Sequence, residues 1–226
     1  MQEITKESQY TLSLTYRDEH GQEKLGLMTN QAWYDDPKRL TFTLARYKFV
    51  AKMLTGCQNV LEVGCGDGFA SRIVQQEVEN LTLTDFDPIF IEDIRSRVVK
   101  GWEFKETFCH DLLQDGPIPG KYDGIYSLDV LEHIESKDEM TFLSNIIKAL
   151  SPQGTLVIGM PSLESQPFAS KLSKEGHVNC KTMPDLKKTM QHFFHNVFMF
   201  SMNDEVVHTG YHKMAHYLIA LCCNLK

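Results

Sequence analysis

The chain has 226 residues, 42% of them hydrophobic and 23% charged, with a formal net charge of -7. That length supports one good core in one domain. The acidic balance excludes a broad electrostatic footprint for nucleic acid, and no apolar run reaches the length of a membrane span. The opening residues, from Met1 to Lys6, carry no signal-peptide pattern, so a cytoplasmic location is expected. Cys57, Cys65, Cys109, Cys180, Cys222 and Cys223 form no C-x-x-C pair. They read as small buried hydrophobes of a reducing compartment rather than zinc ligands.

In chain order, Tyr10 to Tyr16 alternates weakly and reads as a strand, with turn chemistry over Arg17 to Gln22 and a second short strand after it, a hairpin. Residues 1–36 are therefore expected to form an N-terminal extension or lid. Asp36 before Pro37 marks a helix start, and the helix is predicted to run to Leu54. Val60 to Val63 reads as a buried strand that runs into Gly64, Gly66 and Gly68, with a helix from Phe69 to Val78. Strand, glycine turn and helix together bring bare backbone N–H groups and a helix N-terminus up to a ligand.

Leu81 to Asp85 reads as the next strand. Asp85 stands about twenty residues past the first glycine, where doubly wound folds place a carboxylate against ribose hydroxyls. Asp87-Pro88 is expected to cap a helix from Ile89 to Val99. Further strands are predicted at Trp102 to Cys109, from Asp123 to Leu128-Asp129, at Thr155 to Met160, Asn196 to Met202, and Ala215 to Cys223. Helices are predicted from Leu131 through Leu150 and from Pro184 to Phe194, and the connection from Pro161 to Cys180 is long.

The spacing Glu62-Val63-Gly64-Cys65-Gly66-Asp67-Gly68 differs from the dinucleotide fingerprint G-x-G-x-x-G. It resembles motif I of the class I S-adenosylmethionine (SAM) dependent methyltransferases. Tyr122 to Ile134 resembles the fourth-strand motif of the subgroup that includes ubiquinone-biosynthesis O-methyltransferases. The resemblance covers roughly Arg39 to Met160 and implies a Rossmann-like, doubly wound α/β fold. Its sheet would have seven mostly parallel strands with the last antiparallel. Residues 37–226 would form the catalytic domain, with SAM as cofactor.

By position in the family, Glu62, Gly64, Cys65 (through its backbone) and Gly66 would hold the cofactor, Asp85 would bind the ribose, and Phe86 would flank the adenine. Asp111 would accept from the adenine amino group, the N–H of Leu112 would bind a ring nitrogen, and Leu128 would touch the cofactor by its backbone. Arg39 or Arg46 would pair with the methionine carboxylate, for which a guanidinium fork is suited. Without the resemblance, both arginines read as solvated helix residues and Asp111 as the start of a loop. Trp33 and Tyr34 would either wall a substrate pocket or form a hydrophobic staple.

The reaction implied is methyl transfer to a small-molecule acceptor at oxygen, with His133 or His177 as the base that takes the hydroxyl proton. Each also reads as a purely structural histidine. No carboxylate set for a metal stands out. The acidic balance and the Leu128 to Leu131 sequence, which lacks the Asn-Pro-Pro-Tyr signature, disfavour RNA, although an RNA or protein acceptor and a non-catalytic SAM-binding module stay open. So does a homo-oligomer.

Overall fold

The computed structural model describes residues 3–97 and 101–226. Three helices come first: α1 (Thr11–His20), α2 (Leu27–Asp35) and α3 (Lys38–Met53). Then follow β1 (Asn59–Val63), α4 (Ser71–Gln75), β2 (Asn80–Asp85), α5 (Pro88–Ser96), β3 (Glu106–Cys109), β4 (Tyr122–Leu128), α6 (Glu139–Ala149) and β5 (Leu150–Pro161). The remainder supplies α7 (Lys171–Gly176), α8 (Met183–Met190), β6 (Phe194–Asn203), β7 (Val206–His208) and β8 (Tyr217–Leu225).

One sheet runs in the order β3-β2-β1-β4-β5-β8-β6-β7. Strands β1 to β5 pair in parallel, while β8 is antiparallel to both β5 and β6. The fold is the expected mostly parallel, Rossmann-like α/β sheet. It has eight strands rather than seven, because the three-residue β7 adds an edge beyond β6.

Alternate residues of a strand face opposite sides of a sheet, and the core divides accordingly. Leu61, Val63 and Ile125 pack with Leu143 and Ile146 of α6 and Leu186 of α8. Val60 and Tyr126 pack with Tyr47 and Val50 of α3, Val74 of α4, and Ile91 and Ile94 of α5. Because the first strands are parallel, β1, β2, β3 and β4 all end on one rim. At that rim the chain order reverses between β1 and β4, the switch point where α/β sheets bind ligands.

Three expectations are corrected. The segment from Tyr10 to Tyr16 is not a hairpin strand. Tyr10 ends a 3₁₀ turn and Thr11 to Tyr16 lie in α1, which is capped by Gly21, whose φ is 77° and whose N–H bonds Arg17 O at 2.8 Å. No residue of α1 is buried, so no packing imposes a period that the sequence could display. The helix expected from Leu131 begins only at Glu139, after a single 3₁₀ turn over Leu131–His133. The Glu132 carbonyl accepts instead from the N–H groups of Val178 and Asn179 at 2.8 and 3.0 Å, which occupies the acceptor a continuing helix would use. The helix after motif I is also shorter than expected, five residues from Ser71. Asp87 caps α5 as expected, accepting from Ile89 N at 2.9 Å, but the predicted end at Val99 lies outside the described residues.

Candidate active site

The glycine loop joins β1 to α4 at the switch-point rim. Gly64 and Gly66 have φ of 76° and 53°, which L side chains rarely adopt. A Cβ at Gly64 would also collide with Val130. The expectation of bare N–H groups is corrected in detail. The N–H groups of Gly64 and Cys65 both donate to Thr84 O at 2.8 and 3.1 Å, that of Gly68 donates to Cys65 O at 3.0 Å, and that of Gly66 donates to the Asp85 carboxylate at 2.8 Å. The loop offers close approach, not a nest of donors.

Asp85 is buried at the end of β2 and also accepts from Asp87 N at 3.0 Å. Burial raises its pKa, against the backbone donors that pull it down. It lines an apolar cavity of about 510 Å³ with Phe86, Asp111, Leu112 and Phe142. Phe86 is exposed at the mouth and Leu112 is buried. Asp111 accepts from Leu113 N at 2.8 Å and Gln114 N at 3.3 Å, so it starts a turn and borders the cavity at once.

A second cavity of about 440 Å³ adjoins the first, and Met28, Gly64, Gly66, Asp129 and His133 border both. Its lining includes Arg39, Arg46, Cys65, Leu128, Glu132 and His177. Arg39 is half-exposed, with only a long 3.9 Å approach to Asp35. Arg46 is largely buried, pairs with Asp129 at 2.8 Å and lies 3.7 Å from the centre of the Tyr217 ring. Of the two arginines, Arg39 is thus the freer to meet a carboxylate, and Arg46 holds Asp129. Asp129 adopts a φ of 57°, a left-handed conformation that aspartate tolerates better than most residues.

Glu62 departs most from expectation. It lines neither cavity. Its carboxyl is buried on the α3 side of the sheet, accepting from the hydroxyls of Tyr47 at 2.7 Å and Tyr126 at 2.6 Å. Burial raises its pKa to about 7 despite those donors.

Three residues around the site escape the sequence reading, Met28, Asp67 and Glu132, while Asp129 reads as a strand end without a role of its own. Asp67 accepts from Thr29 N at 2.6 Å, Thr29 Oγ1 at 3.2 Å and Phe69 N at 3.1 Å, tying α2 to the loop, and Arg97 donates to its carbonyl. An aspartate between two glycines is a signal for backbone capping and could have been found. Glu132 is fully buried, and neither carboxylate oxygen has a hydrogen-bond partner. Nothing in its sequence neighbourhood marks it.

Residues 61–156 match the family described as methyltransferase domain. A ubiquinone biosynthesis O-methyltransferase of Schizosaccharomyces pombe is 26% identical over 106 residues, 45% of this chain and 37% of that protein. One from Xanthomonas campestris is 25% identical over 167 residues, 68% of this chain and 65% of that protein. The chain therefore spans less than two thirds of these relatives. Among solved structures, the N-methyltransferase NodS of Bradyrhizobium japonicum, crystallised with S-adenosylhomocysteine (SAH), superposes with a TM-score of 0.63 at 21% identity, covering 85% of this chain and 90% of that one. Residues 61–156 are thus similar to a methyltransferase domain, and the sheet that carries them has the fold of a SAM-dependent methyltransferase structure.

Proposed function

We infer that the protein binds SAM and transfers its methyl group to a small-molecule acceptor at oxygen. The observation that carries this reading is the state of the glycine loop beside Asp85. A dinucleotide places a pyrophosphate on free N–H groups at this turn. Here those of Gly64, Cys65, Gly66 and Gly68 are engaged within the protein. An adenosyl ligand without phosphates requires no such donors. It requires an acceptor for ribose hydroxyls and an apolar slot for a purine, which Asp85 and the cavity of Phe86, Leu112 and Phe142 supply.

In this reading the second cavity takes the methionine end. Arg39 meets its carboxylate and Asp129 accepts from its ammonium, with Leu128 and the loop as the wall. Asp111 and the Leu112 N–H face the adenine edge. When bound, SAM supplies a sulfonium methyl, whose carbon–sulfur bonding pair stays with sulfur as the acceptor oxygen forms the new carbon–oxygen bond. The protein orients the two partners and excludes water, a contribution of about 7–11 kcal/mol for a well-placed pair. His133 or His177 takes the acceptor's proton, and burial together with the neighbouring His133 lowers the pKa of His177, favouring the neutral ring a base needs.

Residues up to 36 serve as a cover and 37–226 as the catalytic domain. The Asp67 tether and the position of Met28 over both cavities support that division. The names of the ubiquinone-biosynthesis relatives support the small acceptor and oxygen. Among the described residues no helix is long and apolar enough to cross a membrane.

Calorimetric titration tests the reading. SAM binds the wild type, and Asp85→Ala weakens it at least about tenfold, the loss of one or two hydrogen bonds to a carboxylate. No heat with the wild type, or equal affinity in the variant, overturns it.

A further inference from the structure

Three side chains lining the second cavity form a cluster that the cofactor does not need. Glu132, His133 and His177 each bring a donor atom to within 4.8 Å of the others. His133 Nε2 lies 4.0 Å from Glu132 Oε1, and the two imidazole centres are 5.2 Å apart.

The hydrogen bonds around these rings fix their tautomers. His133 Nδ1 is 2.9 Å from Gly176 O, a carbonyl that can only accept, so Nδ1 carries the proton. His177 Nδ1 is 2.9 Å from Gln166 Oε1, and the Gln166 amide is oriented by its own donation to Ser162 O at 3.1 Å. Both rings therefore keep an Nε2 lone pair free. An imidazole that gives its other N–H to a carbonyl or amide oxygen has the arrangement found around metal-ligating histidines.

The third member is independent of the first two. A fully buried carboxylate with no partner on either oxygen is costly, and such groups are paired or ligate metals. Arg46 offsets part of its charge but makes no hydrogen bond to it, and the guanidinium instead pairs with Asp129 at 2.8 Å. Val178 and Asn179, just past His177, donate to the Glu132 carbonyl, so the two halves of the cluster are held to each other by backbone.

We propose that Glu132, His133 and His177 bind a divalent transition-metal cation, with at least one position left open to the acceptor's oxygen. Two imidazole nitrogens and one carboxylate suit zinc, cobalt, manganese or ferrous iron better than magnesium or calcium. Ligand bonds of about 2.0–2.2 Å place donors ~3.4 Å apart, so binding contracts the cluster by about an ångström. The site stands on its own geometry; its purpose rests on the methyl-transfer reading. There the cation takes over the task given above to an imidazole base. A hydroxyl bound to it loses its proton to solvent more readily, as bound water does.

The test is spectroscopic and uses the whole chain, stripped with a chelator and titrated with Co²⁺. One equivalent binds and gives visible d–d bands without thiolate charge transfer, which separates this site from the cysteines. Gln166→Ala, a substitution behind His177, weakens Co²⁺ about tenfold. The His133→Ala/His177→Ala double variant, its fold checked by circular dichroism, weakens it at least a hundredfold. Wild-type protein without such bands overturns the proposal, as does a double variant that keeps them or a signal dominated by thiolate. SAH calorimetry on the same samples tells the two readings apart. Cofactor binding without a cobalt signal sinks the metal site alone, and a cobalt signal without cofactor binding sustains the site and removes the cofactor.

Discussion

Glu62 and Asp85 are buried carboxylates on neighbouring strands, yet only Asp85 opens onto a cavity. The difference is one of parity. On β1, Val60 and Glu62 face the α3 layer while Leu61 and Val63 face α6, so Glu62 meets Tyr47 and Tyr126 rather than a ligand. Asp85 ends its strand, and the chain leaves the sheet there. Its place at the rim was legible because a strand end at a fixed distance from a glycine turn defines that position. The isolation of Glu132 was not legible, since a carboxylate one turn past a strand reads as a helix surface. Its backbone carbonyl is held by a loop more than forty residues later, at Val178 and Asn179.

Glu62 also makes stability depend on pH. Its folded pKa of about 7 lies above the ordinary 4.5, so the folded state holds the proton more tightly. That contribution is fully present below pH 4.5 and is lost as pH rises toward 7. For a wholly buried group it amounts to about 3 kcal/mol. Denaturant unfolding of the wild type and Glu62→Gln across this window will show the wild type losing stability relative to the variant as pH rises. Parallel profiles would mean that the group ionises alike in both states.

Among the elements, the parallel strands from β1 to β5 were the readable part. Except in β3, which has no buried residue, their apolar runs are buried on both faces and bounded by turn residues. The N-terminal helices were not. Threonine and tyrosine between Tyr10 and Tyr16 favour a strand by propensity, and with no side chain of α1 buried, nothing in the apolar pattern opposes that preference. The start of α2 depends on Asp67, a residue of the distant glycine loop. Asp67→Ala removes three hydrogen bonds and leaves the Thr29 and Phe69 N–H groups without that acceptor. Amide exchange across α2 is expected to quicken tenfold or more, about 1.4 kcal/mol of local stability, with protection in β1 and β4 retained. Unchanged exchange in α2 would show that the tether does not hold it.

At the scale of the whole molecule, the two cavities lie over parallel strand ends whose layers are packed on both faces, so ligand binding and global stability are linked. SAH at a hundred times its dissociation constant adds about 2.7 kcal/mol. In a domain of this size that raises the melting temperature by roughly 5–10 °C. Asp85→Ala at the same SAH concentration shows a clearly smaller rise. A wild-type melting temperature indifferent to SAH would count against a cofactor held at this rim.

Strand β8 sits between β5 and β6 and pairs with both. Translation delivers its residues after both neighbours. Until 217–225 have left the ribosome, β5 and β6 have no common partner and their inner edges stay open to other chains. Tyr217, the first residue of that strand, is also the platform beneath Arg46. The last seam to close in the sheet is therefore also the one that sets the arginine in place, so a nascent chain has no finished pocket before its fold is whole.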